Sequence, residues 1–410
     1  MLDVLHPEGV TLEGEEREPS LLGEELLQGL LSSDGKPRLA PARDFLLDEV
    51  CRENLPVIME AFKSWRDYVE YLLLMGRHVK TGKEQFVAVK CSKRGNDVFT
   101  RRLDYELGVL RELDGVELFT IDDFQTHEYM PCNLLFLTLT FDSKLCSMRE
   151  AWQQSTYYWN LLLTNLRNKY GRVFYIQMPE AFPDENGEAY GYPHPHAILL
   201  FLDHQFHAFP RWERKKNGEE GWVYRIKEKH ELEEQAKWHS FIDVKAINSG
   251  RSLGGYLRKH VKNTHGGDDP SALLTQAMLW LHRKRTYTMS EDFMECSSCG
   301  HTFSPRMLDP TRPDMKKKKY IPREKCPECS SPNFIRRGFR EVLHESILNL
   351  RNSKPLKQVD FARQPVIEWI WTFHGVASAK DLGLSPDVWV ASLSKLDFKR
   401  WITFGLPERL

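Results

Sequence analysis

The sequence predicts an α+β protein, in which helices flank an antiparallel sheet and a four-cysteine module and a mainly helical module follow. Three observations predict this fold class. The run Phe136–Phe141 alternates apolar and polar residues, as a half-buried strand does. A longer apolar run follows His194-Pro195-His196 and is typical of a buried strand. Two CxxC pairs, beginning at Cys296 and Cys326, indicate a bound metal ion.

The N-terminal third of the chain is divided by its composition. Residues 1–50 contain 12 acids and 4 bases, a net charge of −8, and we expect residues 1–45 to be partly disordered. Residues 46–130 open with an amphipathic helix, predicted over Leu55–Leu74, and continue with a strand at Gln85–Lys90. No function is predicted for this second region.

The next elements are expected to build the sheet and a helix that covers it. After the strand Phe136–Phe141, the residues Ser147–Glu150 form a capping-box pattern, which predicts a helix that ends at Gly171. Further strands are predicted at Val173–Glu180 and Trp238–Ile247. A hairpin through Pro183–Gly187 would return the chain from Val173–Glu180 alongside, so we expect this strand to lie next to the histidine strand.

The pair His194 and His196 carries the strongest indication of function. Side chains alternate across a strand, so both imidazoles would point to the same face of the sheet. Two neutral ring nitrogens on one face are good ligands for a divalent metal. The alternative is that both are core histidines satisfied by hydrogen bonds. A histidine-triad hydrolase is excluded, because Tyr192 and Ile198 occupy the positions of a third alternating histidine.

A basic segment with one tyrosine lies downstream of these strands. It is Gly254–Lys262, which is predicted to be a helix that carries Tyr256. The ordered set of the Phe136–Phe141 strand, the two-histidine strand and this helix resembles the HUH endonucleases, in particular the rolling-circle replication initiators of plasmids and viruses. The resemblance extends from Phe136 to Ser290. Pro195 departs from it, because the family prefers a bulky apolar residue between the two histidines.

This resemblance implies a fold and a reaction. The fold is an HUH-type, ferredoxin-like or RRM-like antiparallel sheet, and it would occupy residues 131–290. The reaction is the nicking of single-stranded origin DNA by Tyr256, which leaves a 5′-phosphotyrosine and a free 3′-hydroxyl and later allows strands to be rejoined. Lys259, one helical turn away, would steady the phosphate or lower the pKa of the tyrosine.

The resemblance also implies a catalytic metal ion. His194 and His196 would hold Mg²⁺ or Mn²⁺, and a side chain of the adjacent strand would complete the site. We predict Glu180 as the third ligand and Gln177 as the alternative, because Pro179 makes it uncertain from the sequence which of the two side chains faces the histidines. Contacts to the DNA are expected from other bases of this region: Arg258, Lys262, Arg283, Lys284 and Arg285.

The cysteine-rich segment, residues 291–338, is predicted to be a zinc ribbon. Its two CxxC pairs are separated by 26 residues and can direct four thiolates at one tetrahedral Zn²⁺. A redox dithiol is the alternative, and His301 could replace one thiolate. A closed site of this kind would be structural, with no open position for catalysis. The predicted ligands are Cys296, Cys299, Cys326 and Cys329.

A basic insert separates the two cysteine pairs. Residues 311–340 contain 10 bases and 3 acids, a net charge of +7, although the whole chain has a net charge of −1. This segregation of charge favours contact with nucleic acid. Four consecutive bases form a candidate phosphate-contacting loop, with an ordinary solvated loop as the alternative. They are Lys316, Lys317, Lys318 and Lys319.

The last part of the chain, residues 339–410, is predicted to be a separate small module. The tryptophans and apolar residues of Val366–Trp371, followed by a break at Gly375, fit a helix-turn-helix or winged-helix unit. An all-helical packing unit explains the same pattern equally well.

The remaining predictions concern partners and compartment. Single-stranded and duplex origin DNA are expected partners, with a host polymerase and a helicase in trans, since no Walker A pattern occurs. We expect a cytoplasmic location and no membrane partner. The reasons are that no apolar run is long enough to cross a bilayer and that no basic signal sequence opens the chain. A relaxase or transposase is the alternative within the superfamily. A non-catalytic DNA-binding regulator built on the zinc ribbon is the alternative from another class.

Overall fold

A computed structural model describes the chain in eight segments. They are residues 41–108, 117–214, 218–249, 269–290, 293–304, 306–308, 320–337 and 369–403. Helices and strands are mixed in these segments, and the strand pairs within their sheets are antiparallel. The prediction of an α+β protein with antiparallel sheets is therefore confirmed.

The elements of the described segments are numbered in chain order. The helices are α1 Pro41–Asp48, α2 Leu55–Asp67, α3 Asp97–Gly108, α4 Met148–Tyr170, α5 Lys229–Ala236, α6 Pro270–Leu281, α7 Ala379–Leu382 and α8 Lys395–Thr403. The strands are β1 Glu70–His78, β2 Glu84–Lys90, β3 Met130–Cys132, β4 Leu134–Leu139, β5 Val173–Met178, β6 His196–Phe201, β7 Phe206–Arg214, β8 Glu220–Ile226, β9 Ile242–Ala246, β10 Thr288–Met289, β11 Phe293–Cys296, β12 Thr302–Phe303, β13 Arg306–Leu308, β14 Tyr320–Pro322, β15 Phe334–Arg337, β16 Trp369–Ser378 and β17 Val390–Leu393.

A five-stranded antiparallel sheet, here called the central sheet, carries the two-histidine motif. Its strand order is β10-β5-β6-β4-β9, so β6 is the middle strand. After His196, which is partly buried, every residue of β6 is buried. A strand that is apolar on both sides needs cover on both faces of its sheet, and this sheet has it.

Helix α4 covers one face of the central sheet. The Ser147 hydroxyl accepts a hydrogen bond from the backbone N–H of Glu150 (3.3 Å), and the Glu150 carboxylate accepts one from the backbone N–H of Ser147 (2.9 Å). The predicted capping box is therefore confirmed, and the helix ends at Gly171 (φ +79°) as predicted. Leu162 of α4 and Leu199 of β6 lie in the same buried cluster.

The opposite face of the central sheet packs against α3. Phe99 and Leu103 of α3 form a second buried cluster with Ile176 of β5 and with Ile198 and Leu200 of β6. Alternate side chains of β6 therefore pack into two different buried clusters, one on each face of the central sheet.

A three-stranded sheet, of order β3-β7-β8, lies beside β9, the edge strand of the central sheet. Phe206 and Ala208 of β7 and Ile226 of β8 are fully or almost fully buried in the cluster that contains α4. The base of the β7–β8 hairpin is therefore anchored in the core beneath the central sheet.

The N-terminal helices pack directly on the region that carries the histidines. Leu55, Ile58 and Phe62 of α2 share a buried cluster with Trp152 of α4 and Leu274 of α6. The predicted boundary near residue 130 therefore does not separate two cores.

The helix predicted over Leu55–Leu74 is shorter than expected. It ends at Asp67, and Tyr68 adopts an extended conformation (φ −72°, ψ 108°) that leads into β1. Short apolar runs fit a helix and a buried strand equally well, and pairing with a distant strand decides the outcome here.

The C-terminal segment corrects a prediction. The strands β16 and β17 join β1 and β2 in a four-stranded sheet of order β16-β1-β2-β17. Tyr71 of β1, Phe86 of β2 and Phe398 of α8 share its buried cluster. Residues 369–403 are therefore neither a separate module nor mainly helical, because two of their strands complete a sheet that begins at Glu70.

Two small sheets lie in the cysteine-rich segment: β12-β11-β15 and the pair β13-β14. Cys296, Phe303 and Cys326 are its buried residues among those that the structure describes. In the described part of the chain, none of the helices combines the length and the apolar character that crossing a membrane requires.

Candidate metal centres and nucleic-acid contacts

The two histidines lie at the start of the middle strand of the central sheet. The backbone N–H of His194 donates to the carbonyl of Glu180 (2.6 Å), and the N–H of Leu139 donates to the carbonyl of Pro195 (2.9 Å). These hydrogen bonds continue the pairing of β5, β6 and β4 beyond the strand ends. The imidazole centroids of His194 and His196 are 4.8 Å apart, with their planes at 87°. The structure thus brings the two rings together.

His196 is held by groups from both neighbouring strands. Its Nε2 lies 3.1 Å from a carboxylate oxygen of Glu180, and its Nδ1 lies 3.2 Å from the hydroxyl of Thr138. The Phe136 ring stacks on the imidazole, with centroids 5.6 Å apart and planes at 18°. The side chains of His196 and Glu180 are only 13% and 17% exposed, so their interaction is poorly screened by solvent.

The Thr138 hydroxyl suits two states of His196. A threonine hydroxyl both donates and accepts, so it can donate to Nδ1 while Nε2–H donates to Glu180. It can also accept from Nδ1–H, which leaves the lone pair of Nε2 for a metal ion. The first state is a satisfied, structural histidine, and the second is a ligand with its ring oriented by a neighbour.

Gln177 lies on the other face of the central sheet. In the pairing of β5 with β6, Met178 is opposite His196 and Gln177 is opposite Ala197. Opposed residues share a face, so Gln177 faces the side that α4 covers. Its side-chain oxygen accepts a hydrogen bond from the Thr288 hydroxyl (3.1 Å). Gln177 therefore does not lie beside the histidine pair, and the alternative prediction of Gln177 as the third metal ligand is wrong.

An ion-pair network that no sequence motif indicated begins at Asp243, which lies in one cross-strand row with Thr138 and His196. Thr138 is paired with His196 on one side and with Asp243 on the other. Arg225 of β8 contacts the Asp243 carboxylate and binds both carboxylate oxygens of Glu213, at 2.9 and 2.6 Å. Only the packing of β8 against β9 creates this contact, and no motif marks it.

The charges of this network shift its pKa values. Hydrogen bonds from Arg225 lower the pKa of Glu213. Burial raises the pKa of Asp243, but the hydrogen bond and the charge of Arg225 outweigh burial and lower it overall. Both carboxylates are therefore strongly ionised, and Arg225 is committed to them.

The four cysteines form the second candidate centre. The Sγ atoms of Cys296 and Cys329 are 3.4 Å apart, and those of Cys299 and Cys326 are 3.7 Å apart. All four sulfur atoms lie within 4.8 Å of one another. The set can bind a metal ion such as Zn²⁺, because four soft thiolates in a tetrahedral arrangement suit that ion. His301 is not part of the set.

The two cysteine pairs have matching backbone turns. The N–H of Gly300 donates to the carbonyl of Cys296 (2.8 Å), and the N–H of Ser330 donates to the carbonyl of Cys326 (2.9 Å). Gly300 and Ser330 both have positive φ angles, +70° and +60°. Ser330 holds a conformation that favours glycine, which indicates that the surrounding turn imposes it.

The close approach of the sulfur atoms also shifts their pKa values. Burial raises the pKa of Cys296, but backbone N–H groups and neighbouring thiols outweigh burial and lower it to about 6. A backbone hydrogen bond lowers the pKa of Cys299, but burial and the neighbouring thiols raise it to about 12. One thiolate therefore ionises first and makes the next ionisation harder, an effect that a bound cation would remove.

The two centres differ in how far their ligand atoms converge. Among the described residues, the four cysteines are the only group of three or more histidine, cysteine or acidic side chains whose ligand atoms all meet within one metal-sized space. His194, His196 and Glu180 are neighbours, but their ligand atoms do not meet that criterion.

The predicted DNA-contacting tail is partly structural. The Lys284 ammonium donates to the Thr156 hydroxyl of α4 (2.7 Å), and the backbone carbonyl of Lys284 accepts a hydrogen bond from Arg94. Burial lowers the pKa of Lys284. Lys284 therefore joins the chain to α4, whereas Arg283 and Arg285 are exposed, and the DNA-contacting roles of all three stay predictions.

Several predicted site residues lie outside the described residues. They are Tyr256, Arg258, Lys259, Lys262 and the four lysines Lys316, Lys317, Lys318 and Lys319. Their roles stay predictions from the sequence.

Comparison with known proteins returned no match to a protein-family model, to a curated protein or to a solved structure. The resemblance to the HUH endonucleases therefore depends on the motifs described above.

Proposed function

We propose that the protein is a metal-dependent endonuclease that nicks and rejoins single-stranded DNA, as an initiator of rolling-circle replication does. The observation that carries the proposal is the contact between Glu180 and Nε2 of His196, at 3.1 Å, beside the His194 ring. Glu180 lies two residues beyond the end of β5, and His194 and His196 lie just before and at the start of β6, the middle strand of an antiparallel sheet. Two imidazoles and a carboxylate are a donor set that suits Mn²⁺ or Mg²⁺.

The proposed metal ion would supply Lewis-acid stabilisation of a non-bridging phosphate oxygen. The Tyr256 hydroxyl would form the new bond to phosphorus, and the bond from phosphorus to the 3′-oxygen would break. The leaving oxygen takes up a proton and becomes a free 3′-hydroxyl. Lys259 is proposed to favour the phenolate of Tyr256 through its charge.

A non-catalytic DNA-binding regulator is the second candidate. It is favoured by one observation: the four-cysteine cluster converges within 4.8 Å, whereas the histidine pair and Glu180 do not form such a set. In this case the contact of His196 with Glu180 and Thr138 is a satisfied polar contact in the core.

A covalent-adduct assay separates the two candidates. The protein is incubated with labelled single-stranded oligonucleotides of random sequence and Mn²⁺, and then run on a denaturing gel. An endonuclease of this type gives a protein–DNA band, and mass spectrometry should locate the adduct at Tyr256. The Tyr256→Phe variant should give no band, whereas the Tyr287→Phe control should behave as wild type.

Two outcomes contradict the nicking proposal. One is an adduct on any residue other than Tyr256. The other is tight DNA binding with no adduct, which supports the regulator.

A further inference from the structure

The β7–β8 hairpin carries two exposed tryptophans that the proposed chemistry does not use. Trp212 and Trp222 face each other across the hairpin and are 54% and 48% exposed. Their rings are 5.1 Å apart at 79°, an edge-to-face arrangement. The indole N–H of Trp212 donates to the Glu220 carboxylate (3.2 Å), which holds that ring in place.

A cross-strand aromatic pair stabilises a hairpin by about 0.2–1 kcal/mol, but it does not require two large rings left half in water. The hairpin is already anchored, since Ala208 and Ile226 at its base are buried. On the other face, Arg225 binds Glu213 and Asp243 and ties the hairpin to the edge of the central sheet. An exposed aromatic patch on a rigid support marks a binding surface.

The charges around the patch indicate the partner. Arg214 is exposed on the same face of β7 as Trp212, opposite Glu220, whereas Arg211 is exposed on the other face, and Lys215 and Lys216 follow in the sequence. Glu213 is the acid within this stretch, and it binds Arg225 through both oxygens and also lies 3.6 Å from Arg211. Aromatic faces beside exposed basic side chains are the features that bind single-stranded nucleic acid, because nucleobases stack on the rings and phosphates contact the cations.

We propose that Trp212 and Trp222 form a stacking platform for the bases of single-stranded DNA. The inference rests on the proposed function only for the choice of DNA over RNA. The same hairpin reaches Asp243, which lies in one row with Thr138 and His196. A strand stacked on the platform would thus be held by the element that packs against the edge of the histidine row.

Binding of labelled oligo-dT to the full-length protein, followed by fluorescence anisotropy without added Mg²⁺ or Mn²⁺, tests the platform apart from nicking. Trp222→Leu keeps an apolar side chain but no stacking face, and we expect it to raise Kd about tenfold. Trp222→Phe keeps the face and should bind within about threefold of wild type. The control Phe373→Ala removes an aromatic ring that is 59% exposed on β16 and should leave Kd unchanged.

The wild-type protein provides a second measurement that needs no variant. Photocrosslinking with oligonucleotides containing bromodeoxyuridine should yield adducts at Trp212 and Trp222. Wild-type affinity of folded Trp222→Leu, or adducts confined to other residues, would overturn the platform. Tighter binding of oligo-rU than of oligo-dT would overturn the choice of DNA. Platform-dependent binding without nicking would reject the proposed function and leave the platform standing.

Discussion

The cysteine cluster and the histidine pair are both candidate metal centres, but they are built in different ways. Each cysteine pair is placed by a local turn, so Cys296 with Cys299 and Cys326 with Cys329 converge by short-range geometry. The histidine centre needs three strands in register, since Glu180, His196 and Thr138 belong to β5, β6 and β4 or to their ends.

This difference has a consequence for stability. The cysteine cluster has a small core of its own, so a metal ion bound by its four thiolates would supply much of its folding free energy. The histidine centre lies on a sheet with large cores on both faces, so its fold does not depend on a metal ion. If both centres bind metal as proposed, its removal should unfold the first and leave the second folded.

The largest expected effect is the loss of the cysteine cluster. If the four cysteines bind zinc as predicted, Cys326→Ser should abolish zinc binding and unfold the cysteine-rich segment, because zinc binding contributes about 10–16 kcal/mol in comparable small sites. Metal analysis of the purified protein measures the zinc content, and limited proteolysis between residues 293 and 337 measures the unfolding. The control Cys146→Ser lies outside the four-cysteine cluster and should have the zinc content of the wild type. A wild-type zinc content in Cys326→Ser would show that this cysteine is not a ligand.

The next effect concerns the histidine centre. His196→Ala should reduce Mn²⁺-dependent nicking about 10³-fold, since a catalytic metal ion supplies several kcal/mol of transition-state stabilisation. The circular dichroism spectrum and the zinc content should not change. His230→Ala is the control, because the His230 side chain is 93% exposed. Nicking at the wild-type rate by a variant with both His194 and His196 replaced by alanine would end the metal proposal.

A smaller effect is expected at the network that supports the histidine row. Arg225→Met should cost about 2 kcal/mol of unfolding free energy at pH 7, because it leaves Glu213 and Asp243 partly buried with only the longer contacts to Arg211 and Lys245, at 3.6 and 3.4 Å. The exposed pair of Arg172 with Asp203 is the matched control, and Arg172→Met should cost less than about 1 kcal/mol.

The pH dependence of this cost follows from the pKa values. Arg225 lowers the folded-state pKa of Glu213 and Asp243, so its contribution is present above their ordinary pKa values, near 4. It is lost as the pH falls through the lowered values. Urea unfolding at a series of pH values should show the Arg225→Met difference shrinking in acid. A difference that stays constant down to pH 2 would contradict an ionic origin.

The smallest effect separates the two states of His196. Thr138→Val keeps the shape but removes the hydroxyl that orients Nδ1, and it should weaken Mn²⁺ binding about tenfold. Thr140→Val is the control, since the Thr140 hydroxyl contacts the carbonyl of Phe241 (3.4 Å) rather than a histidine. Equal Mn²⁺ affinities of Thr138→Val and wild type would favour the purely structural state.

Local signals in the sequence determined a large part of this protein. The capping box at Ser147 and Glu150 and the stop at Gly171 define α4 at both ends. The CxxC pairs placed the cysteine cluster, and the apolar run after His196 placed the middle strand of the central sheet. These features were predictable because a cap, a knuckle or a buried strand depends on residues within a few positions of one another.

Only the tertiary structure decided the features that depend on register and on distant partners. The pairing of Gln177 with Ala197 turned Gln177 away from the histidines, a matter of one residue along β5. The pairing of β16 with β1 changed a predicted helical module into part of a sheet. Arg225 reached Asp243 because two sheets pack side by side. Such contacts join residues far apart in the chain, and no local pattern encodes which of several compatible partners they choose.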